Sequence, residues 1–219
     1  YEEEAFLLFS MDISGIQNFI YTIISKNALR TLRARSFYLE ILMEHIVDLF
    51  LEKLELSRTN LIYSGGGHCY LLLPNTENVK TKAKEFQQEL KKWFLKYFQT
   101  ELFVACGYAV CTANALRNIP DGSYGELFRT VGKRISEEKQ HRYTAEDIIW
   151  LNNRKTDDYS RECKVCKKIG HVDADNVCPL CRKIERFSAN VLYSDFFTVE
   201  LEGGEEGLPL PGGCYLLAD

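Results

Sequence analysis

The chain has 219 residues, 46% of them hydrophobic and 26% charged, with 14 Gly and 5 Pro. Such a composition can bury a proper core and excludes a disordered, collagen-like or low-complexity chain. Twenty-seven Lys and Arg against 31 Asp and Glu leave a net charge of −4, which excludes a uniformly basic nucleic-acid coat, so any contact with nucleic acid or nucleotide must be local.

The length suits one ordinary domain with a smaller attachment. No apolar stretch approaches the roughly 20 residues of a membrane helix, and the acidic start Tyr1-Glu2-Glu3-Glu4 is not an export signal. A chain that begins on a strand without an initiator Met is expected to be a piece of a longer polypeptide.

In chain order, Phe6 to Ile13 is an apolar run that ends in a carboxylate and then Ser14-Gly15, a buried strand that delivers Asp12 to its C-terminal end. A helix follows, and after Lys26-Asn27 a long amphipathic helix runs from about Leu29 to Leu56, with Leu39, Leu42, Ile46, Leu49, Phe50 and Leu54 at helical spacing. Asn60–Ser64 and His68–Leu73 read as strands of a β-hairpin around Gly65-Gly66-Gly67. A helix over Asn78–Tyr97, a strand over Leu102–Cys111 and a helix over Tyr124–Gln140 complete the series. The order contains a βαββαβ core. An α+β domain is therefore expected, with an antiparallel sheet and helices on one face, the ferredoxin-like arrangement on which polymerase palms and nucleotidyl cyclases are built.

Composition divides the chain into a palm-like domain over 1–150, a polar and basic zinc module over 151–190, and the start of a further strand-containing segment over 191–219. After Arg186 there is no further Lys or Arg. Between Arg154 and Arg186 there are nine basic and six acidic residues, so that module is only mildly positive.

The zinc module contains Cys163-x-x-Cys166 and Cys178-x-x-Cys181, separated by eleven residues. A CxxC turn aims two sulfurs at one point, and two such knuckles close a tetrahedral S₄ shell around Zn²⁺. The alternatives are a redox CxxC or two disulfides, neither of which explains two pairs in one small polar segment. His171 lies between the knuckles and reads as a surface residue rather than a substitute ligand. A closed four-thiolate shell has no open position, so this zinc is structural. Cys69, Cys106, Cys111 and Cys214 lie in apolar strand-like runs and are expected to be small buried hydrophobes. Free thiols beside a zinc site imply a reducing, cytoplasmic compartment.

The hairpin Ser64-Gly65-Gly66-Gly67-His68 lets backbone approach a phosphate or a base edge, although three glycines are also simply a turn. Asp12 is expected beside it. Between Ile13 and Leu39 there is no acidic residue but four basic ones, Lys26, Arg30, Arg33 and Arg35, where a helix N-terminus favours anions. Palm-type nucleotidyl transfer needs two or more carboxylates to hold two divalent metals. Where further acids would follow the glycines this chain has Gly67 and His68, so nucleotide binding without catalysis is expected of this domain alone.

Four segments, Met11-Asp-Ile-Ser-Gly-Ile-Gln-Asn-Phe-Ile-Tyr21, Leu32-Arg-Ala-Arg-Ser-Phe-Tyr-Leu-Glu40, Tyr63-Ser-Gly-Gly-Gly-His68 and the paired CxxC module, together resemble the large subunit of type III-A (Csm-type) CRISPR effector complexes. The resemblance covers essentially the whole chain in the right order. It implies a subunit that runs from an HD nuclease domain through a first palm, a zinc-bearing linker domain and a second palm to a helical C-terminal domain, with this chain corresponding to the first palm and zinc-bearing region. The two palms of that family bind two ATP molecules and, on target-RNA binding, make cyclic oligoadenylate in antiviral defence. The GGDD carboxylates that hold Mg²⁺ or Mn²⁺ belong to the second palm, and single-stranded DNA cleavage belongs to the HD domain.

Carried onto this sequence, the resemblance places Ser64, Gly65, Gly66 and Gly67 in the degenerate hairpin that lines the first ATP site. It makes Asp12 the strand-end acid and turns Ser36 toward the adenine, with Ser14, Gly15 and Arg35 in the same site. His68 either touches a phosphate or is packed. The implied partners are the other effector subunits, the second palm, and guide and target RNA through the complex. The rival readings are a stand-alone diguanylate-cyclase-like enzyme, against which the missing hairpin acids argue, and a zinc-ribbon protein that grips nucleic acid or serves as a scaffold.

Overall fold

The structure is a computed structural model that describes residues 1–22, 28–153, 161–202 and 204–218. Lys26 of the basic stretch and Arg154 at the start of the paired-CxxC segment lie outside the described residues. The chain divides into two compact units, one of residues 1–14 and 43–144 and the other of residues 15–42 and 145–219. Neither unit is contiguous in sequence.

In the first unit, β1 (Phe6–Ser14) is the organising strand. Its side chains are apolar on both faces because it is buried on both, and it pairs antiparallel with β3 (His68–Pro74) on one side and β4 (Phe103–Cys111) on the other. With β2 (Leu61–Gly65) outside β3, the sheet order is β2-β3-β1-β4. α3 (Glu77–Phe98) connects β3 to β4, its first turn capped by the Thr76 hydroxyl, which accepts from the Val79 N–H.

Strand alternation sorts the core into two faces. On one, Phe9 packs on Phe50 of α2 (Ala28–Lys53), and Phe50 stacks on Phe86 of α3, with ring centroids 4.9 Å apart in both pairs. On the other, Leu8, Ala105 and Ala109 meet Leu127, Val131 and Ile135 of α5 (Ser123–Gln140). Between β4 and α5 lies the short α4 (Ala113–Leu116). The sheet thus carries helices on both faces, which corrects the expectation of helices on one. The reason is the small-residue series Ala105, Gly107 and Ala109, which lets α5 come down onto the strand.

In the second unit, α1 (Ile16–Tyr21) and the N-terminal half of α2 accompany α6 (Ala145–Asn152) and α7 (Pro179–Asn190). β5 (Phe197–Glu200) and β6 (Leu208–Pro209) both pair antiparallel with β7 (Tyr215–Ala218) in a three-stranded sheet. Phe37 of α2 lies 4.6 Å from Phe197 and 6.2 Å from Phe187 of α7, and the Tyr38 hydroxyl donates to the Pro209 carbonyl at 2.5 Å. α7 escapes a sequence reading because it starts inside a cysteine knuckle, with Cys178 at its cap and Pro179 in its first turn. Cys69, Cys106 and Cys111 are buried as expected, whereas Cys214 is only half-buried and precedes β7.

A Cβ at Gly107 would stand 2.9 Å from Arg134 Cβ and 3.1 Å from the Ile135 backbone nitrogen, atoms that move only with the helix itself. Gly107→Val is expected to cost about 2 kcal/mol by overpacking, read as a lower urea midpoint with an unchanged denaturant slope.

Candidate nucleotide-binding hairpin and metal centre

The β2–β3 hairpin turns through Gly66 and Gly67, at φ +62° and +79°. Two successive positive φ values define a type I′ turn, whose twist matches that of the strands it joins and which glycine adopts without strain. The Gly67 carbonyl accepts from the Ile13 N–H at 2.8 Å, so the turn is tied to the end of β1, and Asp12 stands opposite His68 in the register. The expected meeting of the strand-end acid and the glycine turn is therefore present. Gly66 is exposed, with no atom within 4 Å of where its Cβ would be, while Gly65 is overhung by the Tyr63 hydroxyl.

Asp12 is not free. His68 Nδ1 donates to its Oδ2 at 3.0 Å, Lys139 Nζ from the last turn of α5 lies 3.0 Å from its Oδ1, and His68 Nε2 stands 3.1 Å from the Ser10 hydroxyl. Burial works to raise the Asp12 carboxyl, but the hydrogen bonds and charges of His68 and Lys139 outweigh it and hold the group below its usual value. His68 is thus packed within this cluster and against the Tyr70 ring, 4.6 Å away. On the opposite face of the sheet, Ser64 Oγ donates to Glu44 Oε1 at 2.5 Å, and Arg58 Nη1 lies 2.7 Å from the other Glu44 oxygen. Glu44, Arg58, Lys139 and Ser10 are not among the site residues that the sequence suggests. The helical spacing of Glu44 and the place of Ser10 two residues before Asp12 on β1 offered a hint, whereas Arg58 and Lys139 reach the site from distant segments.

The first unit therefore assembles Asp12, Ser64, Gly65, Gly66, Gly67 and His68. Ser14 closes β1, its hydroxyl buried without a hydrogen-bond partner. Gly15, Arg35 and Ser36 belong to the second unit. There Gly15 precedes α1 at φ +92°, Ser36 is half-buried, and Arg35 is 1% exposed. Arg35 Nη1 donates to the Phe19 carbonyl at 2.5 Å, Nη2 to Cys181 Sγ at 3.5 Å, and the guanidinium lies 4.7 Å from the centre of the Phe19 ring. Burial accounts for a role in packing that its place in a basic stretch did not suggest.

The same unit brings Cys163, Cys166, Cys178 and Cys181 together, their sulfurs all within 4.8 Å of one another. Zn–S bonds of about 2.3 Å in a tetrahedron require sulfurs about 3.8 Å apart, and Cys166 and Cys178 stand at 3.7 Å. The first knuckle turns tightly through Lys167 at φ +63°, and the Cys178 N–H donates to Cys163 Sγ at 3.3 Å. Between the knuckles, Asp173 accepts from the backbone N–H groups of Asp175 and Val177, while Arg182 ties Asp173 to Asp175. The four thiols share hydrogen bonds with one another, which lower Cys163 and raise Cys166 and Cys181 from their ordinary values. His171 is exposed and outside the cluster. The four cysteines can hold a metal ion. By contrast, burial pushes Cys69 up to about 12 and raises Cys106 and Cys111, as befits inert core thiols.

Residues 5–154 match the family described as Csm1 subunit domain B. The chain belongs to the Csm1 family. It is 44% identical over 217 residues to the subtype III-A CRISPR system single-strand-specific deoxyribonuclease Cas10/Csm1 of Enterococcus italicus, covering 99% of this chain and 28% of that protein. The Mycobacterium tuberculosis protein of the same description is 43% identical, with 99% and 29% covered. The chain thus spans less than a third of these Csm1 relatives. Among solved Csm1 structures, the Csm1-Csm4 cassette in complex with one ATP superposes at TM-score 0.61 with 28% identity, over 71% of this chain and 21% of that one. The Csm1-Csm4 subcomplex of the type III-A interference complex superposes at 0.56 with 26% identity, over 74% and 24%. No helix among the described residues is long and apolar enough to cross a membrane.

Because the folded carboxyl of Asp12 lies below its unfolded value of about 3.9, its stabilisation is complete above that pH and is lost as pH falls through the folded value. Asp12→Asn is expected to cost about 1 kcal/mol at pH 7. The difference from wild type in urea unfolding should close toward pH 3.

Proposed function

We propose that this chain is the first palm and zinc-bearing region of the large subunit of a type III-A CRISPR effector complex, and that the palm binds ATP without performing chemistry. The βαββαβ order and the β2-β3-β1-β4 sheet support a ferredoxin-like palm. The domain assignment is palm over 1–150, zinc module over 151–190 and the start of a further linker segment over 191–219.

One observation carries the reading of binding without catalysis. Both acids nearest the glycine turn are already committed, Asp12 to the Lys139 ammonium and the His68 ring on one face and Glu44 to the Arg58 guanidinium on the other. Two-metal nucleotidyl transfer needs carboxylates that converge on one point, and these two diverge across a sheet. What remains is an open backbone turn at Gly66, suited to a phosphate or base edge. The solved relative that holds one ATP supports the same ligand here. In the intact subunit, a second palm with GGDD carboxylates and Mg²⁺ or Mn²⁺ would complete cyclic oligoadenylate synthesis, and an HD domain would cleave single-stranded DNA. The other Csm subunits, Csm4 among them, and guide and target RNA through the complex are the partners. The site of action is the cytoplasm.

Cys163, Cys166, Cys178 and Cys181 would hold Zn²⁺. A bound zinc ion supplies a closed, structural crosslink, while the knuckles and the Asp173–Arg182 contacts hold the sulfurs in place.

In the intact subunit, Gly66→Glu is expected to weaken ATP binding at least tenfold by calorimetric titration, since it adds a carboxylate and forces a side chain into the left-handed region. Unchanged affinity would remove the hairpin from the site. Native mass spectrometry should find one zinc ion in the folded subunit, lost on Cys163→Ser. Cyclic dinucleotide made by this chain alone with Mg²⁺ and nucleotide would favour the cyclase-like rival.

A further inference from the structure

Arg35 carries a charge that no carboxylate among the described residues answers, and it is 1% exposed. Its Nη1 is satisfied by the Phe19 carbonyl, its Nε has no hydrogen-bond partner, and its remaining polar contact is Nη2 to Cys181 Sγ at 3.5 Å. A buried guanidinium with only a carbonyl and an aromatic face for company is strongly unfavourable, because desolvation of the cation is not offset by an opposite charge. A neutral thiol is a weak acceptor and brings no charge. Four thiolates around a divalent ion are different. That shell carries a net charge of about −2, and a guanidinium N–H that donates to one of its sulfurs gains a charge-assisted hydrogen bond.

We propose that Arg35 is the outer-sphere counter-ion of the four-cysteine metal centre, and that through it metal occupancy governs the ordering of α1 and of residues 28–42 of α2. The inference rests on the reading that the cysteines hold a metal. Arg35 serves both partners: its charge offsets the negative shell, and the shell supplies the anion that makes its burial favourable. The same guanidinium grips the Phe19 carbonyl of α1 and packs on the Phe19 ring, so α1 and the N-terminal half of α2 are held in place from the metal centre. Ser36, the neighbour of Arg35 in that half of α2, is one of the residues assigned to the nucleotide. The zinc module would then act on the nucleotide-binding segment rather than merely follow it in sequence.

The test uses the full-length subunit with Arg35→Met, which keeps the side-chain length and removes the charge, and Arg35→Lys, which keeps the charge and loses the fork. Zinc content of the wild type comes first: no bound zinc would sink the metal reading itself. With zinc bound, competition by a chromophoric chelator is expected to show Arg35→Met losing the metal about 10- to 100-fold more readily, in the range of lost outer-shell partners, with Arg35→Lys between. In the cobalt-substituted protein the sulfur-to-metal charge-transfer band should shift in Arg35→Met and return part-way in Arg35→Lys, since a hydrogen bond to sulfur alters its donation. Zinc affinity and band unchanged in Arg35→Met would overturn the proposal, and so would weaker affinity with an unmoved band, which assigns Arg35 to packing alone. Should Arg35→Met fail to fold, hydrogen exchange on the wild type decides. Chelation is expected to speed exchange over residues 28–42, and unaltered exchange there would refute the coupling.

Discussion

Everything in the first unit depends on β1 being paired along both edges. A strand with neighbours on two sides and helices on two faces has no freedom of register, because a slip of one residue would send Leu8, Ser10 and Asp12 to the wrong side of the sheet. With the register held, Asp12 must face His68, and the end of β1 must meet the Gly67 carbonyl. The geometry of the hairpin is thus imposed from the centre of the sheet outward. The turn residues themselves contribute only their tolerance of positive φ.

That dependence explains why this part of the molecule was legible in the sequence. The apolar run Phe6–Ile13, the glycine turn between two strand-like runs and the helical stripes of α2, α3 and α5 are local patterns, and each became the element that its period implied. The CxxC pairs were legible for a similar reason, since a knuckle is a local structure that needs only its partner knuckle to close. What escaped were features with no local signature. Lys139 reaches Asp12 across 127 positions of sequence. The covering of the second sheet face follows from small residues at Ala105, Gly107 and Ala109, which read as ordinary strand residues. The division into non-contiguous units arises from α2, whose two halves belong to different units although its sequence pattern is continuous.

Arg35 shows the same limit from the other direction. Its setting in a segment with basic residues and no acids suggested an anion-binding surface, and charge counting alone can suggest nothing else. Burial reverses that meaning: a cation withdrawn from water needs an anion brought to it by the fold. Among the described residues the candidate is a cysteine 146 positions away, so basic residues of one segment and thiols of another have to be read as a single electrostatic unit.

The pairing of Asp12 also bears on how such a hairpin could regain or lose catalytic chemistry. Acidic residues introduced at positions 67 and 68 would not rebuild a two-metal centre. Position 67 sits at φ +79°, where an L-residue is strained, and replacing His68 would still leave the Lys139 ammonium on Asp12. A helix packed on the same sheet face as Asp12, rather than the turn, keeps the acid out of reach of a metal. Between a hairpin of this kind and an active one lies the repositioning of a whole helix terminus, a step that point substitution in the turn does not take.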